Sequence, residues 1–360
     1  MIFAVIPWAE RFNNNELFDA QSETNKNGLT EPYAEMKEYI EKAGHEINTV
    51  DMYRDLSEVD FFLFFDWFEN WMDMLIQLGY SNKMVYCNAE PATVRRINSP
   101  EGYKEVCKYF PYIMTWNKDI IDNKTFFYRT IPYNFGVHYD TVSFSNKKLL
   151  TSISANKKSD YRNELYTERE RLISFFETKI PEQFDMYGVG WENSGHSSYK
   201  GRPTSKFDTY RNYRFALAFE NTRGVKGYVT EKIFDCLTGN VVPVYFGAED
   251  ICDYVSKDCF IDYRDYGSPQ ELLDYIISVD EEKYNGYLVA ARVNVERLKN
   301  RGDFSGARYG QNIIDMSMKA TKTGFIVDSG DAKSLHASVQ CSRVKKKVKS
   351  IIKRVLGDVR

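Results

Sequence analysis

The segment from Tyr213 to Gly247 constrains the fold of this chain more than any other stretch. Large apolar residues alternate with alanine from Phe215 to Phe219, which predicts a buried strand. Thr230 predicts the N-terminus of a helix and Gly239 predicts its end. Residues 241–246 then return as an apolar strand. A strand, a polar turn, a helix and a second strand in succession indicate an α/β unit with a parallel sheet.

The polar residues of this segment fall where a phosphate-bearing ligand is expected. Glu220 and Asn221 follow the first predicted strand, at the edge where open α/β sheets bind ligands. Lys232 lies in the first turn of the helix, where free backbone N–H groups already carry partial positive charge. The segment therefore predicts an anion site. The alternative is an ordinary capped helix with one exposed lysine.

Composition excludes several classes of protein. At 360 residues the chain is long enough for two domains, and a net charge of −3 argues against a general nucleic-acid binder. The four histidines lack metal-ligand spacing and the sequence has no DxD motif, so we expect neither a metal nor a cofactor. The six cysteines form no CxxC pair and are predicted to be reduced, which indicates an intracellular protein. The apolar N-terminus is too short to span a bilayer, so we expect a cytoplasmic chain.

Both halves of the chain show the alternation of strands and helices that is typical of parallel sheets. In the first half, strands are predicted at 2–6, 46–50, 60–65, 83–87 and 112–116, and helices at 33–43, 71–78 and 100–109. A polar stretch at 143–160 is interpreted as the passage to the second half. There, strands are predicted at 184–187 and 260–263, and helices at 164–176, 269–279, 281–300 and 305–319.

The C-terminal segment differs from the rest. From Arg343 to Arg360, aliphatic residues recur at helical spacing and lysine or arginine fills the other face. A basic amphipathic helix of this kind can bind an anionic membrane surface, which predicts a peripheral position at the inner membrane. The alternative is a solvated helix packed on its own protein. The predicted division is 1–150, 151–325 and a linker with a basic tail at 326–360.

Three runs in and next to the segment Tyr213 to Gly247 carry a family resemblance: FEN at 219–221, GYVTEKIFDCL at 227–237 and VVPVYFGA at 241–248. They resemble the signature of the α-1,3-fucosyltransferases of glycosyltransferase family 10. Weaker matches lie upstream, at NAEP (88–91), TWN (115–117) and FDMYGVGW (184–191). The resemblance implies a GT-B fold, in which an acceptor-binding and a donor-binding Rossmann-like domain face each other across a cleft. It also implies GDP-fucose as the donor and transfer with inversion.

Transfer from a nucleotide diphosphate requires positive charge at the departing phosphates. Lys232 is predicted to supply it, together with Arg169 or Arg171. Spacing back from Tyr187 and Gly188 favours Arg171 as the match to the phosphate-contacting arginine of the family. The alternative for each cation is an ordinary exposed charge on a helix.

The resemblance implies further donor contacts. Asn221, Tyr228 and Glu231 match family residues that contact the donor, and Lys206 is predicted to add positive charge. Tyr228 has a simpler alternative as a half-buried tyrosine of the core.

The attacking hydroxyl must lose a proton to a carboxylate on the other side of the sugar. Glu90 is the predicted base, because it follows the strand at 83–87 and matches the glutamate of the family's acceptor-domain motif. Asp66 is the reserve candidate, and Glu220 is less suitable because we expect it on the donor side. The alternative for Glu90 is a surface glutamate.

Together these features predict an inverting fucosyltransferase that moves L-fucose from GDP-fucose to an N-acetylglucosamine-containing oligosaccharide or glycolipid, in α-1,3 or a related linkage. Two alternatives are a GT-B enzyme that uses another GDP-sugar and a catalytically silent glycan-binding protein. Acceptor choice is expected to reside in the N-terminal half.

Overall fold

The computed structural model describes residues 1–25, 28–136 and 142–356, with side chains described up to Lys345, and contains two parallel sheets. Six strands of the N-terminal half form the first sheet, in the order β2-β1-β3-β4-β5-β6. Every neighbouring pair is parallel. The strands are β1 (Ile2–Ile6), β2 (Glu46–Thr49), β3 (Phe61–Phe64), β4 (Met84–Cys87), β5 (Tyr112–Thr115) and β6 (Phe126–Tyr128).

Helices of the N-terminal half follow these strands and cover both faces of the sheet. They are α1 (Glu31–Lys42), α2 (Glu69–Gln77) and α3 (Pro100–Tyr109). The start of α3 shows how local sequence sets a boundary, because the Ser99 hydroxyl accepts a hydrogen bond from the Gly102 N–H and Pro100 occupies the first turn. The predicted alternation of strand and helix is confirmed here, apart from small shifts at the element ends and the short strand β6, which was not predicted.

The second sheet has five strands in the order β11-β10-β9-β7-β8, and all its pairings are parallel. Its strands are β7 (Lys148–Ile153), β8 (Phe184–Tyr187), β9 (Tyr213–Phe219), β10 (Val242–Phe246) and β11 (Ile261–Asp262). The helices of this part are α4 (Tyr166–Lys179), α5 (Lys206–Tyr210), α6 (Glu231–Thr238), α7 (Pro269–Ser278) and α8 (Glu281–Arg301).

Strand β9 lies at the centre of the second sheet and buries both of its faces. Phe215, Leu217 and Phe219 belong to the core on one face. Ala216 and Ala218 belong to the core on the other face, where α6 packs closely. The alternation of large and small residues therefore reflects two different packing layers, as the sequence predicts.

The polar stretch at 143–160 is not only a passage between the halves. It contains β7, which pairs with both β8 and β9 in the second sheet. The prediction is wrong at this point because a polar residue of the strand, Thr151, is satisfied inside the protein. Thr151 is fully buried and donates a hydrogen bond to the Asp185 carbonyl oxygen at 2.9 Å.

The last two helices, α9 (Gly306–Lys319) and α10 (Ser329–Leu356), return to the first half of the molecule. Tyr309 and Ile313 of α9 belong to the core that contains β1 and β3. Leu335 and Val339 of α10 pack into the core on the opposite face of the first sheet. The first structural unit thus contains β1–β6 together with α9 and α10, which differs from the predicted division at 150 and 325.

Helix α10 includes the start of the predicted basic tail. Its side chains are described only as far as Lys345, so most of the predicted basic face and residues 357–360 lie outside the described part. Among the described residues, no helix combines the length and the apolar character that crossing a membrane requires.

Gly306 allows α9 to approach α1 closely. A Cβ atom at this position would lie 1.8 Å from the carbonyl oxygen of Pro32, too close for any real contact. We expect Gly306→Ala to lower the free energy of unfolding by about 2–3 kcal/mol, because the two helices must separate. Urea denaturation followed by circular dichroism measures this change.

Gly286→Ala is the matched control, since a Cβ atom there meets nothing within 4 Å and the residue is exposed within α8. Alanine favours a helix interior, so this variant should gain roughly 0.5–1 kcal/mol. Equal stability of the two variants would contradict the close helix contact.

Candidate active site

A cleft of about 1030 Å³ lies where the carboxyl ends of the two sheets meet. The segments after β3 and β4 line one wall, and the segments after β7, β8 and β9 line the other. Parallel strands place their carboxyl ends along one edge, and ligands of open α/β sheets bind there. The cleft brings together seven of the predicted residues: Glu90, Arg169, Lys206, Asn221, Tyr228, Glu231 and Lys232.

Glu220 organises the start of α6 from inside the protein. Its side chain is fully buried, and its carboxylate accepts hydrogen bonds from the Thr230 N–H at 2.9 Å and the Thr230 hydroxyl at 2.7 Å. Burial raises the pKa of Glu220, although the nearby Lys232 opposes this effect. A Cβ atom on Gly247 would lie 2.4 Å from Cγ of Glu220, so this glycine makes room for the buried side chain.

Lys232 carries its charge between two carboxylates. Its ammonium nitrogen lies 3.4 Å from a carboxylate oxygen of Glu220 and 3.2 Å from one of Glu231. Burial alone would lower the pKa of Lys232, but Glu231 and Glu220 outweigh it and the pKa is raised. The Lys232 side chain is 22% exposed, so its positive charge is accessible from the cleft.

Glu231 is more exposed than Glu220 and remains ionised. Burial would raise the pKa of its carboxyl group, but Lys232 and Lys206 outweigh burial and hold it at about 2. Glu231 is thus a hydrogen-bond acceptor on the cleft wall at neutral pH, because both of its oxygens lack a proton.

Lys206 lines the cleft but is already paired. Its ammonium lies 2.6 Å from the carboxylate of Asp235, which also accepts a hydrogen bond from the Tyr133 hydroxyl at 2.9 Å. Burial opposes the charge of Lys206, but Asp235 and Glu231 raise its pKa. Asp235 and Tyr133 were not predicted, and their only sequence signal is that Asp235 follows Glu231 by one helical turn.

Arg169, and not Arg171, lies at the cleft. Arg169 is 4% exposed and donates hydrogen bonds to the carbonyl oxygens of Phe219 at 2.8 Å and Glu220 at 3.1 Å. Arg171 is about half exposed, and it bonds to Glu168 and to the Tyr263 hydroxyl outside the cleft lining. Residues that are two positions apart on an α-helix are rotated by about 200° about the helix axis, so their side chains point to nearly opposite faces. Of the two predicted arginines, the structure therefore places Arg169 and not Arg171 in the cleft lining.

Tyr228 joins the two halves beneath the cleft. Its ring lies 4.8 Å from that of Trp116, which follows β5, and its hydroxyl accepts a hydrogen bond from the Asn221 side chain at 3.3 Å. Tyr228 is 2% exposed, and burial raises the pKa of its hydroxyl. Gly227 makes this contact feasible, because a Cβ atom there would lie 2.3 Å from the Trp116 carbonyl oxygen. Most of Tyr228 thus belongs to the core, although the residue also lines the cleft.

Glu90 lies on the opposite wall, in the turn after β4. The Asn98 side chain donates a hydrogen bond to the Glu90 carbonyl oxygen at 2.8 Å, and the Tyr86 hydroxyl holds Asn98 at 2.9 Å. Burial raises the pKa of the Glu90 carboxyl group, and the charge of Lys232 is the main opposing influence. Within the described residues its carboxylate makes no hydrogen bond or ion pair, so it is available to a ligand.

Asp66, the reserve base, also lines the cleft but is occupied. Its carboxylate forms an ion pair with Arg95 and accepts a hydrogen bond from the Trp67 N–H at 2.7 Å. The charge of Lys157 also lowers the pKa of the Glu90 carboxyl group. Lys157 was not predicted as a site residue, because it follows strand β7, which the sequence analysis did not identify.

The two walls of the cleft have complementary chemistry. One wall presents Arg169, Lys232 and the N-terminus of α6, which stabilise negative charge. The other presents the unpaired carboxylate of Glu90, whose raised pKa suits proton uptake. No cluster of three or more metal-ligating side chains occurs among the residues that the structure describes.

Comparisons with known proteins find similarity to fucosyltransferases. Residues 145–299 match the model described as "Glycosyltransferase family 10 (fucosyltransferase) C-term". The α-(1,4)-fucosyltransferase of Arabidopsis thaliana is 44% identical over 77 residues, which cover 21% of this chain and 19% of that protein. The glycoprotein 3-alpha-L-fucosyltransferase A of Drosophila melanogaster is 29% identical over 237 residues, which cover 61% of this chain and 44% of that protein. The chain thus spans less than half the length of these relatives.

The fold also matches a solved structure. An α1,3-fucosyltransferase crystallised with GDP superposes with a TM-score of 0.56 at 15% sequence identity, covering 91% of this chain and 92% of that chain. A match at this level of identity concerns the fold, and it extends over both sheets.

Proposed function

We propose that this chain, in which residues 145–299 form a glycosyltransferase family 10 (fucosyltransferase) domain within a GT-B fold, is an inverting fucosyltransferase that uses GDP-fucose. The observation that carries the proposal is the placement of Glu90 across the cleft from Arg169 and Lys232. A transferase needs both walls, because one must accept a proton while the other stabilises the departing anion.

The donor is proposed to bind the wall formed by the second sheet. Arg169 and Lys232 contact the diphosphate, with the N-terminus of α6 adding backbone N–H groups. Glu231 accepts hydrogen bonds from hydroxyl groups of the donor, and Asn221 donates hydrogen bonds to them. Tyr228 forms the floor of the cleft. Lys206 has a weaker role than the sequence suggests, since Asp235 already neutralises its charge. The GDP in the crystal structure of similar fold supports this choice of nucleotide.

The reaction balances without a cofactor. The acceptor oxygen attacks the anomeric carbon of fucose, Glu90 takes the hydroxyl proton, and the bond from the anomeric carbon to the phosphate oxygen breaks. GDP leaves with the bonding electrons and its added charge meets Lys232 and Arg169. Attack from the face opposite the leaving group inverts the configuration. Because burial raises the pKa of Glu90, we expect activity to be lost as pH falls through that raised value.

The acceptor is proposed to be an N-acetylglucosamine-containing oligosaccharide or glycolipid that receives fucose in α-1,3 or a related linkage. The relatives' names support fucose as the transferred sugar but leave the linkage open. The Arabidopsis relative is named as an α-(1,4)-fucosyltransferase and the Drosophila relative as a 3-alpha-L-fucosyltransferase. Binding on the first-sheet wall would bring the acceptor hydroxyl to Glu90.

Replacement of the proposed base tests the catalytic assignment. Glu90→Gln keeps the shape but cannot take a proton, so kcat for fucose transfer should fall by about 10²–10⁴-fold while GDP affinity stays within about twofold. Transfer is measured as GDP release with a panel of lactosamine-type acceptors. Asp66→Asn is the matched control, and a loss of less than about tenfold is expected because Asp66 is already paired with Arg95. Near-normal turnover of Glu90→Gln would refute the assignment.

The two arginines of α4 give a paired test of donor binding. Arg169→Ala should raise the Kd for GDP by about 10–100-fold, because a charge-assisted contact to phosphate is lost. Arg171→Ala should leave it within about twofold, since Arg171 bonds to Glu168 and Tyr263 instead. Isothermal titration calorimetry with GDP measures both constants, and thermal unfolding checks that each variant is folded. The reverse order of effects would restore Arg171 as the phosphate ligand.

We also propose that the chain acts in the cytoplasm and attaches peripherally to anionic membrane through residues 343–360. The support is the sequence of this segment, in which cations occupy one helical face. The packed residues of α10, Leu335 and Val339, precede this segment, and residues 341–345 are exposed. The core contacts of α10 therefore do not depend on the tail.

Removal of residues 343–360 should abolish sedimentation with vesicles that contain phosphatidylserine while kcat with a free oligosaccharide stays within about twofold. Added salt should weaken binding of the full chain, because the attraction is electrostatic. Equal vesicle binding of the full and shortened chains would contradict a membrane role for the tail.

A further inference from the structure

Three aromatic side chains form a continuous surface on the first-sheet wall of the cleft. Trp8 follows β1, Phe65 follows β3, and Tyr33 lies in the first turn of α1. The Trp8 and Phe65 rings are 6.2 Å apart with planes 12° from parallel, and Tyr33 lies 5.3 Å from Trp8 and 5.9 Å from Phe65. All three side chains line the cleft. We refer to these three residues as the aromatic wall.

The aromatic wall lies on the same side of the cleft as the proposed base. Phe65 directly precedes Asp66, and the charge of Glu90 raises the pKa of the Tyr33 hydroxyl. The cations proposed to bind the diphosphate come from the second sheet, on the opposite wall. The reaction as proposed uses none of the three aromatic residues, although they border the space next to Glu90.

A buried arginine supports the aromatic wall from behind. Arg129 is 2% exposed and donates to the carbonyl oxygens of Thr130 at 3.1 Å and Cys87 at 3.4 Å. Its guanidinium also packs over the ring of Tyr309, 4.1 Å from the centroid. No carboxylate forms an ion pair with Arg129 among the residues that the structure describes, so its charge is directed to neutral groups.

Tyr33 is one of these neutral groups. Burial raises the pKa of its hydroxyl, and the charge of Arg129 opposes that effect. Tyr309, over which Arg129 packs, contacts Tyr33 in turn, with ring centroids 6.5 Å apart. The Tyr33 hydroxyl makes no hydrogen bond to another group within the described part of the chain, so it is available to a ligand in the cleft.

We propose that the aromatic wall is the acceptor subsite, in which a neutral pyranose ring packs its C–H face on Trp8, which the buried Phe65 supports, and forms a hydrogen bond with Tyr33. Aromatic rings supply a large apolar contact area, and a few placed polar groups set the orientation of a ligand. This inference rests on the proposed function and names the side chains that hold the acceptor while Glu90 takes its proton.

Steady-state kinetics with varied acceptor separates this role from donor binding. The probe is whichever of N-acetyllactosamine, lacto-N-biose and chitobiose the wild-type chain fucosylates fastest. Tyr33→Phe, which removes one hydroxyl, should raise the acceptor KM by about 3–10-fold. Trp8→Ala should raise it by at least about tenfold. The KM for GDP-fucose should change by less than about twofold in both variants.

Tyr39→Phe is the matched control, because it deletes the hydroxyl of another α1 tyrosine, which contacts Gln311 instead of the cleft. Its acceptor KM should equal that of the wild type. If Trp8→Ala does not fold, Trp8→Phe and Tyr33→Phe still decide the matter. Unchanged acceptor KM in Tyr33→Phe and in the folded Trp8 variant would overturn the subsite. If the wild-type chain fucosylates none of the probes, the proposed function fails first, and this result appears without any variant.

Discussion

The buried contact between Glu220 and the start of α6 is the interaction on which the candidate site depends. Glu220 directly follows β9 inside the protein, and its carboxylate accepts two hydrogen bonds from Thr230 and lies beside Lys232. Removing one member of a buried charged pair leaves the other uncompensated, which is costly. This contact fixes the helix N-terminus and the lysine with respect to the sheet edge, so the cationic wall is formed before any ligand binds.

The electrostatics of the two walls then divide the chemistry. Lys232 stays charged because two carboxylates flank it, and Glu231 stays ionised because two lysines act on it. Glu90 differs from both, since burial raises its pKa and no described side chain pairs with its carboxylate. Groups whose environments shift their pKa values in opposite directions are suited to different roles in one reaction. Here the proposed roles are the stabilisation of a leaving diphosphate and the uptake of a proton.

Local signals in the sequence predicted much of this arrangement. Thr230 caps α6 and Gly239 ends it, as their residue types indicate. The signals failed where tertiary contacts decide. Strand β7 was not predicted, because the polar residue Thr151 is buried and bonds its hydroxyl to a neighbouring strand. Arg171 was preferred over Arg169 because spacing along the sequence does not show which face of the helix each side chain occupies. The amphipathic pattern of α9 predicted a helix but not the sheet that it covers, which depends on the close approach of Gly306 to α1.

A crystal structure of the chain with bound GDP tests the central claim most directly. The account predicts diphosphate oxygens at about 2.7–3.0 Å from the Lys232 ammonium and the Arg169 guanidinium, with Glu90 facing them across an open space large enough for a sugar. Diphosphate density away from the N-terminus of α6, or bound on the Glu90 wall, would contradict it.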